Sequence, residues 1–362
     1  ILEEIQNCPV EWKELGEVVD TVTSPVKLTK KEYQVTGRIP IVDQGEQFVA
    51  GYTDNEKYLE KDEYIIFGDH SEHIKYVDFA FVQGADGLKI LKPKSGIKAK
   101  YIYYCFCNFY KKEGSYKRHW SKARTTQIPI LQSEEIQEKI VQILDKMTGY
   151  VTELTSELTS RKKQYSFYRD KLLSFEDEVY QVEWKVLKDV ATLKNGKDWK
   201  NLPIGEIPVY GSGGEMGEFV ADCSYDKPTV LIPRKGSISN LFYLEKAFWN
   251  VDTIYYTEID GSQVIPKYFY YYLTTVNLEE MSTNPTRPSL TQAILDKIKI
   301  PVPSLEIQSR IVQVLDNFDM VCNDLNIGLP KEIELRQKQY EYFREKLLTF
   351  VAEGEYIESR VE

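Results

Sequence analysis

The chain repeats itself. Val10-Glu11-Trp12-Lys13 returns as Val182-Glu183-Trp184-Lys185, an offset of 172 residues. Ile39-Pro40 returns as Ile207-Pro208, and Lys100-Tyr101-Ile102-Tyr103-Tyr104 as Lys267-Tyr268-Phe269-Tyr270-Tyr271. Glu135-Ile136-Gln137, Ile140-Val141-Gln142 and Leu144-Asp145 return as Glu306-Ile307-Gln308, Ile311-Val312-Gln313 and Leu315-Asp316. Lys163-Gln164-Tyr165, Arg169, Lys171-Leu172-Leu173 and Phe175 return as Lys338-Gln339-Tyr340, Arg344, Lys346-Leu347-Leu348 and Phe350. Chance does not produce five colinear blocks, so whatever one copy folds into, the other folds into as well.

Each copy reads in two parts. The first is mixed: short β-rich runs such as Tyr64-Ile65-Ile66-Phe67, Thr229-Val230-Leu231-Ile232 and Asp252-Thr253-Ile254-Tyr255-Tyr256 lie between Gly, Pro and Asp turns. One Tyr-rich apolar helix follows, near 99–110 and again near 266–278. The second part is a long helix. Ser133 caps it ahead of Glu134 and Glu135, and residues 136, 140, 143, 147, 150, 154, 158, 165, 168, 172 and 175 form an apolar seam at coiled-coil spacing. At about 1.5 Å per residue it is roughly 64 Å long, and its obvious partner is its own second copy, packed antiparallel. Ile307, Ile311, Val314, Phe318, Val321 and Leu325 supply the second seam until Asn326-Ile327-Gly328-Leu329-Pro330 interrupts it, where a break is expected. The expected fold class is therefore α+β: two tandem mixed α/β domains at 1–132 and 179–303, and long spacer helices at 133–178 and 304–362, the latter broken near 328–330. The two helices form an antiparallel coiled coil with pseudo-two-fold symmetry.

Composition excludes several functions. No run approaches 18 apolar residues, so no membrane helix is expected. The first residues lack a basic region and an apolar core, so they are not expected to be a signal peptide; with no initiator Met, a few preceding residues are expected to be missing. Five scattered Cys suit a reducing cytoplasm, and Cys105-Phe106-Cys107, with no second pair, reads as buried thiols. Three His leave little room for His-rich metal catalysis. The formal charge of −10 argues against nucleic-acid binding by bulk charge, but not against a local basic face.

Such a face is present. Lys111, Lys112, Lys117, Arg118, Lys122 and Arg124 stand against the one acid Glu113, with Tyr116, His119 and Trp120 interleaved. This segment is either a DNA-contacting loop or a solvated basic one; the aromatic residues favour contact. His70 and His73 lie in an Asp-Gly-rich loop where surface polarity explains them equally well. In the second copy Arg234-Lys235-Gly236-Ser237-Ile238-Ser239-Asn240 leaves a strand. There Gly admits close backbone approach, Arg can fork onto guanine and Asn can pair with adenine; the alternative is an ordinary hairpin turn. Lys194, Lys197 and Lys200 flank the turn Asn195-Gly196, and Thr286 and Arg287 sit where the first copy has its basic loop. Gly211-Ser212-Gly213-Gly214-Glu215-Met216-Gly217 lacks Gly-Lys-Ser/Thr and reads as a structural turn. The Tyr runs read as core.

These residues resemble the specificity (S) subunit of type I restriction–modification enzymes over nearly the whole chain. The most specific pieces are Ile207-Pro208-Val209-Tyr210-Gly211-Ser212-Gly213-Gly214, Ile232-Pro233-Arg234-Lys235-Gly236-Ser237, Ala247-Phe248-Trp249-Asn250-Val251-Asp252-Thr253 and Ile300-Pro301-Val302-Pro303-Ser304-Leu305-Glu306-Ile307-Gln308. The first copy departs, with Asp43-Gln44-Gly45 for the Gly-rich turn and Phe67-Gly68-Asp69-His70 for Pro233-Arg234-Lys235-Gly236. The resemblance implies that each globular part is a target-recognition domain reading one half of a bipartite double-stranded DNA site. The helices set the spacing and dock two modification (methyltransferase) subunits, with restriction subunits beyond. It implies no catalysis and no cofactor on this chain, S-adenosylmethionine being expected on the modification subunit. The competing readings are a protein-binding coiled-coil scaffold and the specificity chain of another restriction or defence system. A self-sufficient enzyme is disfavoured, because Asn284-Pro285-Thr286-Arg287 lacks the aromatic residue of an amino-methyltransferase motif.

Overall fold

The computed structural model describes residues 1–175, 181–282 and 288–353. It divides into two compact units, Ile1–Glu153 with Ile333–Glu362, and Leu154–Glu332.

Unit one begins with α1 (Leu2–Gln6), β1 (Val10–Glu14), α2 (Leu15–Val18) and β2 (Val19–Val22). Strands β3 (Lys27–Leu28), β4 (Ile39–Val42), β5 (Gly51–Thr53), β6 (Tyr64–Gly68), β7 (Ile74–Val77), β8 (Val82–Gly84) and β9 (Leu88–Pro93) follow. Then α3 (Ala99–Phe109), α4 (Trp120–Ala123) and β10 (Gln127–Leu131) lead into α5 (Glu134–Ser174). Two four-stranded sheets, in orders β2-β9-β6-β7 and β3-β8-β4-β5, and the β1–β10 pair make the globular part. Strand β6 is apolar on both faces because both are covered. Ile65 and Phe67 face the core that holds α3, while Tyr64 and Ile66 pack with Val42, Val77 and Phe81.

Unit two repeats this plan with β11 (Glu183–Val186), α6 (Leu187–Val190), β12 (Ala191–Asn195), β13 (Ile204–Gly211), β14 (Gly214–Val220), β15 (Thr229–Pro233), β16 (Phe242–Leu244), β17 (Trp249–Asn250) and β18 (Ile254–Ile259). Helices α7 (Pro266–Leu273) and α8 (Gln292–Leu295), strand β19 (Lys299–Val302) and helix α9 (Leu305–Asn323) complete it, and α10 (Leu329–Glu353) follows. The sheet β12-β18-β15-β16 matches β2-β9-β6-β7. Strand β13 pairs antiparallel with β14 and parallel with β17, as β4 does with β5 and β8. Even the register recurs: Trp12 lies opposite Pro129, and Trp184 opposite Pro301.

Each globular part is locked to its following helix by the same polar contacts. Gln137, fully buried on α5, accepts from Lys98 N at 2.9 Å and donates to the Leu131 carbonyl at 2.8 Å. Gln308 on α9 accepts from Ile265 N at 2.8 Å and donates to the carbonyls of Pro303 and Gln263 at 2.8 and 2.9 Å. One turn and more along, Tyr104 donates to Asp145 at 2.6 Å beside Lys100, and Tyr271 donates to Asp316 at 2.5 Å beside Lys267. Burial and the neighbouring carboxylate push both phenols well above their usual range. Tyr101 and Tyr268 are also buried and donate to the carbonyls of Pro129 and Pro301, each at 2.9 Å. The Tyr runs are thus core, as their recurrence implied.

The long helices depart from the expected seam. Within unit two the end of α5 runs antiparallel beside α9. Phe318 meets Tyr165 and Tyr168 at 6.3 and 5.8 Å, while Cys322, later on α9, faces Arg161 and Lys162, earlier on α5. The buried positions of α9 are Gln308, Ile311, Leu315 and Cys322; of the expected seam Ile311 is buried and Ile307 and Phe318 are half-buried. Val314, Val321 and Leu325 are exposed. The stripe is rotated because Gln308 must face the globular part to make its three hydrogen bonds. Tyr150 and Tyr168, expected in the first seam, are also exposed. The break near 328–330 is present: α9 ends at Asn323, and Gly328 packs so tightly that a Cβ there would lie 2.5 Å from the Met320 carbonyl. In unit one the last part of α10 places Tyr340, Leu347, Leu348 and Val351 in the core with α3 and the start of α5.

Replacing Gln308 with Leu strands Ile265 N–H and two buried carbonyls, at a cost of about 1–3 kcal/mol. The expected result is lower amide protection across β19 and α7, with protection in unit one unchanged. Unaltered exchange in unit two would refute this role.

Candidate nucleic-acid interface

In unit one four loops converge. Gln44, in the turn after β4, accepts from His70 N and donates to the Asp86 carbonyl, both at 3.3 Å. Its own carbonyl receives the Ser71 hydroxyl and lies 3.2 Å from His73 Nδ1. His70 Nδ1 sits 3.1 Å from the Lys117 carbonyl, and its ring stacks on Tyr116 with centroids 5.2 Å apart. Tyr116 is 90% exposed, so the stack presents an aromatic face to solvent. Buried Asp69 accepts from the backbone N–H of His119 at 2.9 Å and of Trp120 at 2.8 Å, which starts α4.

The basic loop does not present all the groups expected of it. Lys111, Lys112, Lys117 and Arg118 are exposed. Lys117 and Lys122 are both drawn onto Glu113, at 2.5 and 2.8 Å, and these two ammonium groups hold the Glu113 carboxyl down at about 2. His119 was expected to contact DNA but is 1% exposed, with Nε2 2.7 Å from the Ser115 carbonyl. Trp120, likewise expected outside, packs against Phe67 at 6.1 Å. Both are turned inward because Asp69 captures their backbone from below. Arg124 is exposed, and its backbone carbonyl accepts from Gly16 N at 2.8 Å.

In unit two Arg234 is half-buried at the end of β15. Its guanidinium lies over the Tyr255 ring at 5.2 Å and donates to Asn195 Oδ1 at 3.2 Å. Gly196 presses this turn onto the backbone after β17: a Cβ there would lie 2.0 Å from the Val251 carbonyl, so only Gly fits. Lys197 stays exposed, its N–H bonded to the Asn250 carbonyl at 3.0 Å. Gly236 takes a left-handed φ of 80°, and a Cβ there would lie 3.3 Å from Ser212 Oγ in the β13–β14 turn. Ser212 N donates to Thr253 Oγ1 at 3.2 Å. Lys235, Ser237 and Asn240 are exposed around buried Ile238. Lys194 lies along β12 with its ammonium 3.2 Å from Glu258. Lys200 is exposed in the following turn. Thr286 and Arg287 lie outside the described residues.

Sequence reasoning named Tyr116 among the interleaved aromatics but gave no contact role to Gln44, Asn195, Ser212 and Thr253. Two of them had a signal: Gln44 and Ser212 occupy matching turns of the two copies. The arrangement offers exposed cations for phosphates, and half-buried Arg234 and His70 with exposed Tyr116 for base edges or faces. Among the described residues no group of His, Cys, Asp or Glu is placed to hold a metal ion, and no helix is long and apolar enough to cross a membrane.

Glu113 competes with phosphate for two lysines. Glu113→Gln is expected to tighten binding to DNA of arbitrary sequence and steepen its salt dependence, by up to about 0.9 in log–log slope per phosphate newly neutralised. Titrations at several salt concentrations measure this; an unchanged slope would remove Lys117 and Lys122 from the interface.

Residues 181–335 match the family described as type I restriction modification DNA specificity domain. The chain is 35% identical to the specificity subunit of the type I restriction enzyme EcoR124I/EcoR124II of Escherichia coli, over 94% of each. It is 30% identical to a putative type I restriction enzyme specificity subunit of Haemophilus influenzae, over 96% of this chain and 97% of that one. Its fold is similar to that of the S subunit of a type I restriction–modification system from M. genitalium, with a TM-score of 0.65 at 20% identity over 94% of this chain and 96% of that one. With likeness at this level running through both copies and both long helices, the chain belongs to the type I restriction enzyme specificity subunits.

Proposed function

We propose that this chain is the non-catalytic subunit that gives a type I restriction–modification complex its DNA sequence specificity, each globular part reading one half of a bipartite double-stranded site. The observation that carries this reading is the combination of like scaffolds and unlike loops. Two units share topology, register and helix clamps, yet where one presents His70, Tyr116 and Arg118 the other presents Arg234, Lys235 and Asn240. A protein-only scaffold has no use for two different sets of exposed basic and aromatic groups on like scaffolds. The chain's −10 charge makes such local positive groups the source of phosphate affinity.

In this reading the modification subunits, two by the pseudo-symmetry of the chain, dock on the helical region and bring S-adenosylmethionine. This chain binds no cofactor of its own, and restriction subunits join that assembly. The proposed DNA contacts are His70, Lys111, Lys112, Lys117, Arg118 and Lys122 in unit one, and Lys197, Lys200, Arg234, Lys235, Ser237 and Asn240 in unit two. Cytoplasmic residence follows from the same role.

Genome-wide adenine methylation in cells with and without this chain tests the reading. Loss of one bipartite motif is the expected result; an unchanged pattern, with the modification subunit expressed, would overturn it. Arg234→Ala should then lower methylation by about 10-fold or more, the effect of losing a base contact of about 1–3 kcal/mol. Discrimination should fall at one half of the motif only. Equal loss at both halves would point to misfolding instead.

A further inference from the structure

Residues 111–118 are exposed throughout, so this loop has no apolar core of its own. One buried group gathers it. Glu72, in the β6–β7 turn, is 2% exposed and holds a left-handed φ of 56° that side chains other than Gly rarely adopt. Its carboxylate accepts from the Tyr110 hydroxyl at 2.6 Å, where α3 ends. It accepts from Glu113 N at 2.9 and 3.1 Å and from Gly114 N at 2.8 Å, in the middle of the loop. At the loop's far end His119 Nδ1 lies 3.4 Å away. Start, middle and end of the basic loop therefore meet on one carboxylate.

We propose that Glu72 is the positioning residue for DNA reading by unit one: it holds the 111–118 loop in its binding shape before DNA arrives, and thereby sets discrimination at that unit's half-site. The proposal rests on the reading of this loop as a DNA contact. Its physical basis is preorganisation. A loop that is already ordered does not lose conformational freedom when it binds, and its Lys117 backbone and Tyr116 ring keep His70 in place. Burial alone would raise the Glu72 carboxyl; the hydrogen bonds from Tyr110, Glu113 and Gly114 more than offset this and hold it below the usual carboxylate range, so the group is charged when it does this.

The same turn explains why Glu and not a shorter or neutral residue stands here. The carboxylate offers two oxygens to three donors. Gln keeps one oxygen for the Glu113 and Gly114 amides but replaces the other, which accepts from Tyr110 and Glu113, with an amide nitrogen. A graded series follows, in which Glu exceeds Gln and Gln exceeds Ala.

The test uses the chain assembled with its modification subunits and duplexes carrying the motif found by methylation, with either half scrambled in turn. Glu72→Ala is expected to lose at least tenfold in discrimination at unit one's half-site, with the other half-site unchanged. Hydrogen exchange should quicken at Glu113 and Gly114 while β6 and α3 stay protected. Glu72→Gln should recover part of the discrimination, which a role in bulk stability alone would not separate by half-site. Wild-type discrimination in both variants overturns the proposal, as does an equal loss at both half-sites. If Lys117→Ala with Arg118→Ala also leaves unit one's half-site discrimination intact, the loop is not a DNA contact at all, and the underlying reading fails with it.

Discussion

A buried glutamine, used twice, decides how this protein is put together. Gln137 and Gln308 each bond across from a long helix to the backbone just ahead of a Tyr-rich helix and to the strand that precedes the long helix. Buried amides of this kind are costly unless every partner is met, and for that reason they tolerate few alternative arrangements. The Tyr–Asp–Lys contacts farther along, Tyr104–Asp145–Lys100 and Tyr271–Asp316–Lys267, fix the rotation that the glutamine leaves open. Together they fix the first turns of each long helix to the globular part before it. The loops can then vary freely, since none of them is needed to hold the helix.

The loops that vary are held by a different device, and it differs between the units. Unit one uses acids from below: Asp69 gathers the start of α4, and Glu72 gathers the loop before it. Unit two uses close backbone approach, with Gly196 against Val251 and Gly236 against Ser212. It also stacks Arg234 on Tyr255. The two solutions show how copies of one scaffold come to present unlike surfaces. Sheet topology is retained, and the chemistry that orders the loop tips is replaced.

The repeat, the break at Gly328 and the inward Tyr residues were all legible in the sequence, because each is a local pattern or a recurrence. What was not legible depended on distant partners. Apolar periodicity pointed to Val314 and Val321 on α9, but the polar demand of Gln308 turned the helix and left them exposed. His119 and Trp120 looked like interleaved contact residues until Asp69, fifty positions earlier, took their backbone. Lys194 read as part of a basic turn, yet its ammonium reaches diagonally across to Glu258 on β18. In each case composition and spacing describe a segment, while the deciding group sits on another element.

Charge placement ties these observations to recognition. A protein that must choose one site among many gains nothing from broad affinity for phosphate, and the net −10 charge keeps that affinity low. Within unit one the same acids have a second use. Asp69 and Glu72 point inward, where they order the loop, so their negative charge is shielded from an approaching phosphate by the residues they hold. Lys111, Lys112 and Arg118 point outward. Glu113 stands between the two groups and pairs with Lys117 and Lys122. In the proposed reading, lysines held in this way would contribute fully only where DNA fits closely enough to replace the carboxylate, which favours a matched duplex over an arbitrary one.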